Sequence, residues 1–250
     1  MKLLLYFCAC FLFCISVNTC FGQVPDPDMV TAALKKATDL YTQSIDSESH
    51  LYHGLEYVDY DKPYLEGHQF YRTNTEAEAT VVYDGAQYTQ VPLLYDLVLD
   101  QVIIEHPESA YRMSLISEKV KSFSYLKHTF IRLEQDTLSD SPIRAGFYDL
   151  LVAGNASVLA RRTKNIQERA SQGGMEGEFH DKISYFIQKD NRYYSVSGKK
   201  SLLNLFPDQK KDLQKYVSSN KLNFRKNREA ALVQLMQHYN TLPATAAQKL

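Results

Sequence analysis

Apolar and polar residues follow two different periods along the chain, which predicts helices towards both ends and strands between them. In residues 28–46 apolar side chains recur every three to four positions, whereas in residues 66–198 the dominant period is two. From residue 201 to residue 240 the helical period returns. We therefore predict an α+β fold, in which a curved antiparallel β-meander, open or partly closed like a barrel, carries an N-terminal helix and a C-terminal helical cap.

Short polar turns divide residues 66–198 into about eight to ten strands, which pair as hairpins. Asp84-Gly85 separates two alternating runs and suits a type I′ turn, in which both central residues need a positive φ. Gly154-Asn155 and Asp190-Asn191 separate further pairs of strands. Residues 97–105 are predicted as one strand. Residues 167–180, with three glycines and few apolar side chains, are predicted as a mobile loop.

The first 22 residues have the pattern of a cleavable signal peptide. Lys2 precedes an apolar run from Leu3 to Val17, which is shorter than the roughly 20 residues of a membrane-spanning helix. Small residues, Cys20 and Gly22, lie at positions −3 and −1 of a cut before Gln23. We therefore expect the protein to be exported, to the periplasm or the extracellular space.

Three further expectations follow from this leader. All four cysteines lie within it, at positions 8, 10, 14 and 20, so a cysteine-free mature chain forms no disulfide. Asn18 and Thr19 fit a lipid-attachment signal at Cys20 poorly, so we do not expect a lipoprotein. Residues 23–242 are predicted as a single mature domain without a transmembrane segment, and residues 243–250 as a flexible tail.

Charge is distributed unevenly along the chain. Residues 23–110 hold 16 Asp and Glu against 4 Lys and Arg, whereas residues 111–250 hold 13 acids against 23 bases. The two halves of one folded unit could attract each other, or the basic half could meet an anionic partner. The basic residues are densest between Lys199 and Arg228. Five lysines there form a predicted contact with an anionic envelope surface: Lys199, Lys200, Lys210, Lys211 and Lys215.

Several short motifs occur in the order typical of one group of bacterial proteins. They are Val81–Gly85, Leu93–Asp96, Gly146–Val152, Leu205–Lys211 and Asn220–Phe224. Over residues 65–240 the chain thereby resembles a group of uncharacterised exported bacterial proteins. This resemblance implies a bacterial origin and a place in the cell envelope, and it implies no activity, ligand or catalytic residue.

Candidate chemistry is sparse. His50 and His53 lie in a loop, residues 47–65, that is rich in Tyr, Asp and His, and they could offer imidazole ligands to a metal. His-x-x-His is not the helical spacing of zinc proteases, so a solvated loop is the competing interpretation. Asp96 and Asp100, placed on one face of a strand, are candidates for the paired carboxylates of a glycosidase. No phosphate-binding glycine motif and no Gly-x-Ser-x-Gly sequence occurs.

We therefore predict a non-enzymatic binding or structural protein of the envelope, without a cofactor and without nucleic acid as a partner. The many aromatic residues of the strands either form a packed core or enclose an apolar lipid, glycan or protein segment. The alternative is an envelope hydrolase that uses the carboxylates and a histidine of residues 47–68.

Overall fold

The computed structural model describes residues 27–44, 50–109, 111–135 and 141–242. The chain divides into two compact units, Met1–Ser44 and Ile45–Leu250, which are described separately. The predicted signal peptide with its cysteines, and the predicted tail, lie outside the described residues. Among the described helices, none is both long and apolar enough to cross a bilayer.

The described part of the first unit is helix α1, Pro27–Ser44. Proline suits the first helical position, because its fixed φ is already helical and its missing N–H would have no partner there. Asp28 is the second residue of this helix. The side chains of Met29, Val30 and Leu34 are exposed.

The second unit is built mainly from strands. Their bounds are β1 Leu55–Glu56, β2 Leu65–Glu66, β3 Ala77–Tyr83, β4 Ala86–Asp96, β5 Gln101–Glu105, β6 Arg112–Ser114, β7 Val120–Tyr125, β8 His128–Leu133, β9 Gly146–Val152, β10 Ala156–Ser171, β11 Gly174–Lys189 and β12 Arg192–Val196. Short 3₁₀ turns span His50–Tyr52 and Ser117–Lys119. Helices follow as α2 Lys199–Asn204, α3 Lys210–Ser219 and α4 Arg228–Thr241.

The strands form one open 12-stranded sheet in the order β1-β6-β5-β4-β3-β7-β8-β9-β10-β11-β12, with β2 pairing in parallel with β11. Every other pair of named strands is antiparallel. The prediction of a mostly antiparallel sheet with a few helices is therefore confirmed, although the sheet has more strands than predicted. A backbone hydrogen bond also connects two parts of the sheet that are not neighbours in this strand order. The N–H of Lys164 in β10 donates to the carbonyl oxygen of Leu97, next to β4 (3.0 Å).

Two of the predicted turns have the geometry that their sequences favour. Asp84 and Gly85 join β3 to β4 with φ values of 48° and 83°. Asp190 and Asn191 join β11 to β12 with φ values of 51° and 56°. Short polar residues and glycine tolerate this left-handed conformation, which matches the twist of paired strands.

Two local predictions are wrong. Residues 167–180 are not a loop but the outer part of the β10–β11 hairpin, which stays paired as far as Ser171 and Gly174. This part is held by polar cross-strand contacts, such as Arg169 Nη2 to Glu176 Oε2 at 2.9 Å, and by β2 along one edge, so no apolar alternation signals it. Residues 97–105 are not one strand, since β4 ends at Asp96 and a turn precedes β5.

The second unit holds two large apolar clusters against one face of the sheet. The first lies among β3 to β9 and is rich in stacked and edge-on aromatic rings, including Tyr71, Tyr95, Phe123 and Phe130. The second lies between β9 to β12 and the C-terminal helices. Helix α4 contributes Leu232, Leu235 and Met236 to this second cluster, and the side chain of Asn227 caps that helix by accepting a hydrogen bond from the N–H of Ala230 (3.2 Å).

Candidate functional site

The outer surface of α2, α3 and α4, residues 199–241, is strongly basic, and we call it the C-terminal basic surface. The helices bury apolar residues such as Leu202, Leu213 and Val217 against the sheet, so their polar positions point to solvent. Lys211 and Lys215 lie one turn apart on the exposed face of α3. Lys199 and Lys200 are exposed at the start of α2.

Each of these three helices begins with a cation. The first two residues are Lys199 and Lys200 in α2 and Lys210 and Lys211 in α3, and α4 begins with Arg228. The positive end of a helix dipole lies at its N-terminus, where a cation is disfavoured by about 0.3–1 kcal/mol. The first turn of α2 has no acidic residue to compensate. The first turns of α3 and α4 each hold one acid, Asp212 and Glu229, so among these three first turns only that of α2 is without one.

The basic residues of this surface form no ion pairs within the described parts of the chain. Between Lys199 and Arg228 there are nine Lys and Arg against two acids, Asp208 and Asp212. Lys210 donates to the neutral Oδ1 of Asn204 (3.0 Å). Glu229, which follows Arg228, points to the sheet instead, where its Oε2 lies 2.9 Å from Nη2 of Arg162. The positive charge therefore stays available to an external partner.

The predicted metal ligands lie close together but without further ligands. His50 belongs to the first 3₁₀ turn, and its ring centroid lies 5.8 Å from that of His53 in an edge-on arrangement. Over the described ranges, no group of three or more His, Cys, Asp or Glu side chains has the geometry of a metal site. The hydrolase alternative, which would use this region, stays a prediction.

Asp96, one of the predicted paired carboxylates, has a place in the core rather than on an exposed strand face. It is the last residue of β4 and is 0% exposed. Its Oδ2 accepts hydrogen bonds from the hydroxyls of Tyr57 (2.9 Å) and Tyr60 (2.7 Å). Its Oδ1 accepts the N–H groups of Val98 (2.7 Å) and Leu99 (3.0 Å). Four donors satisfy this carboxylate, so its contacts are those of a residue that fixes the turn into β5.

Asp100 follows in the same turn with a left-handed backbone (φ 57°). Its Oδ1 accepts the hydroxyl of Tyr95 (2.6 Å), and its Oδ2 accepts the N–H of Phe147 (3.3 Å). Burial raises the pKa of this carboxyl, against the opposing effects of Tyr95 and Arg161. The carboxylates of the two aspartates therefore accept hydrogen bonds from different groups, and Asp100 connects the β4–β5 turn to the start of β9.

A buried ionic cluster, which we did not predict, lies at the boundary of the two apolar clusters. Asp149 of β9 is 1% exposed, and its Oδ2 accepts hydrogen bonds from Nε and Nη2 of Arg162 at 2.8 and 2.6 Å. Nδ1 of His128 lies 2.7 Å from the same oxygen. Tyr185 donates its hydroxyl to Glu229 Oε2 (3.1 Å), which completes a link from the sheet to α4. These contacts attach the helices to the sheet at a defined position.

His68 should make the stability of the fold depend on pH. Burial, followed by the nearby charge of Lys164, lowers the pKa of its imidazole below 6.5. Near and below pH 6.5 the unfolded chain therefore binds more protons than the folded chain, and the free energy of unfolding is expected to fall as the pH drops through this value. Urea unfolding between pH 8 and 5 should show a shallower decline for His68→Gln. Parallel declines in the two proteins would contradict this assignment.

Comparison of the chain with protein-family models, with curated proteins and with solved structures finds no match to any of them.

Proposed function

We propose that the protein is an exported, non-enzymatic binding protein of the bacterial envelope, which contacts an anionic surface through its C-terminal basic surface. The single observation that carries this proposal is the positive charge of residues 199–228, whose Lys and Arg side chains form no ion pair with any residue in the described ranges. Export rests on the leader pattern of residues 1–22. In this proposal the curved antiparallel sheet is the rigid support, and the helices form a cap whose outer side faces the partner.

The contacts of the helices suit this role. Their apolar side chains are buried against β9 to β12, so the cap is held by the core. Lys199, Lys200, Lys211 and Lys215 are exposed, and Lys210 is half-buried beside Asn204. Long, hydrated ammonium groups are point charges without a preferred geometry, which suits a disordered anionic surface better than a shaped ligand. Attraction to an anionic membrane amounts to about 1 kcal/mol for each Lys or Arg near the surface.

The expected result is sedimentation of the purified protein with vesicles that contain phosphatidylglycerol, and little sedimentation with phosphatidylcholine alone. Binding should weaken steeply as salt is added, because surface charges are screened beyond about 8–10 Å at physiological ionic strength. Glutamine at the five positions Lys199, Lys200, Lys210, Lys211 and Lys215 should lower the apparent affinity at least tenfold.

A control variant of equal charge change separates this surface from net charge alone. Glutamine is introduced at five exposed basic residues elsewhere in the chain: Lys35, Lys36, Lys121, Lys127 and Arg192. This control should retain most of the vesicle binding. If both variants lose affinity equally, or if the unsubstituted protein does not bind anionic vesicles at low salt, the proposed function is wrong.

A further inference from the structure

The face of the sheet opposite the C-terminal helices carries a basic groove with a volume of about 390 Å³. Strand alternation separates the two faces: Tyr185 of β11 packs towards the helices, whereas its neighbours Ser184 and Phe186 line the groove. We call this feature the outer groove. It is lined by Pro142, Arg144, Tyr148, Arg161, Thr163, Lys182, Ser184 and Phe186.

The register of three strands brings these residues together. Arg161 of β10 lies opposite Ser184 of β11, and Thr163 lies opposite Lys182. Tyr148 comes from β9, the neighbouring strand on the other side of β10. Side chains directly opposite each other in an antiparallel pair have Cβ atoms about 4.5–5.5 Å apart, so these polar groups form one continuous strip.

Arg161 is held in a fixed position at one end of the strip. Its Nη1 donates to the hydroxyl of Tyr148 (3.4 Å), and its Nη2 donates to the carbonyl oxygen of Ala145 (3.2 Å). Nη2 also lies 3.6 Å from Oδ2 of Asp100, on the buried side. These contacts leave further N–H groups of the guanidinium for a ligand, and a fixed guanidinium loses little conformational entropy when it binds one.

The other two cations of the groove are free. Arg144 and Lys182 are exposed, and within the described residues neither side chain forms an ion pair. The backbone of Arg144 is fixed by the hydroxyl of Tyr148, which accepts from the N–H of Arg144 (3.2 Å) and donates to its carbonyl oxygen (2.9 Å). The lining residues that the structure describes thus carry three positive charges and no acid, and Asp100 is the carboxylate that contacts one of them, Arg161.

The apolar part of the groove limits what kind of anion fits. Phe186 packs edge-on to Tyr148, with ring centroids 5.7 Å apart, and Pro142 adds an aliphatic surface. Phe186 is 6% exposed and packs in one cluster with Ile143, Tyr148 and Leu159, so the edge of its ring and Pro142 are the apolar surface that the groove offers to a ligand. A small ligand with a charged end and a planar or apolar body would use both parts.

We infer that the outer groove binds a small phosphate monoester. The phosphate group would lie among Arg144, Arg161 and Lys182, and the organic part would lie against Phe186 and Pro142. A phosphate monoester has a charge of about −1.5 to −2 at pH 7 and three acceptor oxygens, which matches three cationic donors. This site goes beyond the proposed function, since it lies on the opposite face of the sheet from the C-terminal basic surface.

Isothermal titration calorimetry with phenyl phosphate and with inorganic phosphate tests this site. Phenyl phosphate should bind with 1:1 stoichiometry and more tightly than inorganic phosphate, because only the ester reaches the aromatic wall. The double variant Arg144→Gln/Lys182→Gln should bind phenyl phosphate at least about tenfold more weakly. Because both side chains are exposed and unpaired in the described structure, this variant is expected to keep the circular dichroism spectrum and melting temperature of the original protein.

The control is Lys121→Gln/Arg192→Gln, which removes the same charge from exposed positions elsewhere. It should bind phenyl phosphate as the original protein does, and so should the variant with glutamine at the five lysines of the helices. Absence of saturable binding, equal affinities for the two probes, or equal losses in the groove variant and the control would each overturn the proposal. Vesicle binding by the groove variant should be unchanged, so failure here is distinguishable from failure of the proposed function.

Discussion

Replacement of Arg162 with methionine is expected to lower the free energy of unfolding by about 3–5 kcal/mol. Every side-chain hydrogen bond that Asp149 makes among the described residues converges on Oδ2, while its buried Oδ1 has no partner there. Loss of the guanidinium would leave this carboxylate with His128 alone in a site that is 1% exposed. Equilibrium unfolding in urea at neutral pH measures the change.

Two further variants show whether the loss comes from the uncompensated charge. Asp149→Leu combined with Arg162→Met removes both charges, and this double variant should recover most of the stability that Arg162→Met loses. Arg169→Met breaks an ion pair in which the two side chains are 80% and 50% exposed, so it should change stability little. If Arg162→Met costs less than about 1 kcal/mol, the buried cluster does not hold the helices to the sheet as we describe.

The parts of the fold that could be predicted from the sequence are those with a strong local signal. Asp84-Gly85 and Asp190-Asn191 identify hairpins because few residues accept positive φ at adjacent positions. The alternation of buried and half-buried residues in β3 likewise reflects one strand with one covered face. In each case the residues that produce the sequence pattern are the same residues that form the turn or the buried face of the strand.

The outer half of the β10–β11 hairpin could not be predicted in this way. Its faces are both largely exposed, so no apolar period distinguishes it from a loop. Gly177 indicated flexibility, yet it lies at a close approach, where an added Cβ would be 2.6 Å from Leu65 Cδ2 of β2. The glycine leaves room for the side chain of Leu65 on a neighbouring strand, and this neighbour is about 110 residues away in the chain.

The candidate sites also differ in whether their residues are neighbours in the sequence. The C-terminal basic surface is continuous in sequence, and the five lysines could therefore be chosen from composition alone. The outer groove joins residues of β9, β10 and β11, which meet only through the pairing register. The buried cluster joins His128, Asp149, Arg162 and Glu229 from three strands and a helix. No local pattern marks any of these four residues.

Both proposals depend on one sheet that keeps its two faces apart. On one face, apolar residues of β10 and β11 hold the helices, and the lysines lie on the outer side of those helices. On the other face, the alternate residues of the same two strands line the outer groove. A change that disturbs the pairing of β10 with β11 would therefore affect both sites, whereas side-chain variants of either face should affect only one.

Phe130→Ala is expected to lower the free energy of unfolding by about 3–5 kcal/mol, because it opens a cavity at the centre of the first apolar cluster. Phe130 is 1% exposed, and its ring centroid lies 4.8 Å from that of Phe123 and 5.1 Å from that of Tyr95. It also lies opposite Asp149 in the β8–β9 register, beside the ionic cluster. Urea unfolding of the purified variant measures the loss.

Size and position provide the controls for this prediction. Phe130→Leu retains much of the side-chain volume and should lose less stability than the alanine variant. Val58→Ala removes apolar atoms from a residue that is 74% exposed and should have little effect. Because Phe130 and Asp149 are neighbours, Phe130→Ala combined with Arg162→Met should depart from additivity by about 0.5–3 kcal/mol. Strictly additive losses would show that the aromatic cluster and the ionic cluster stabilise the sheet independently.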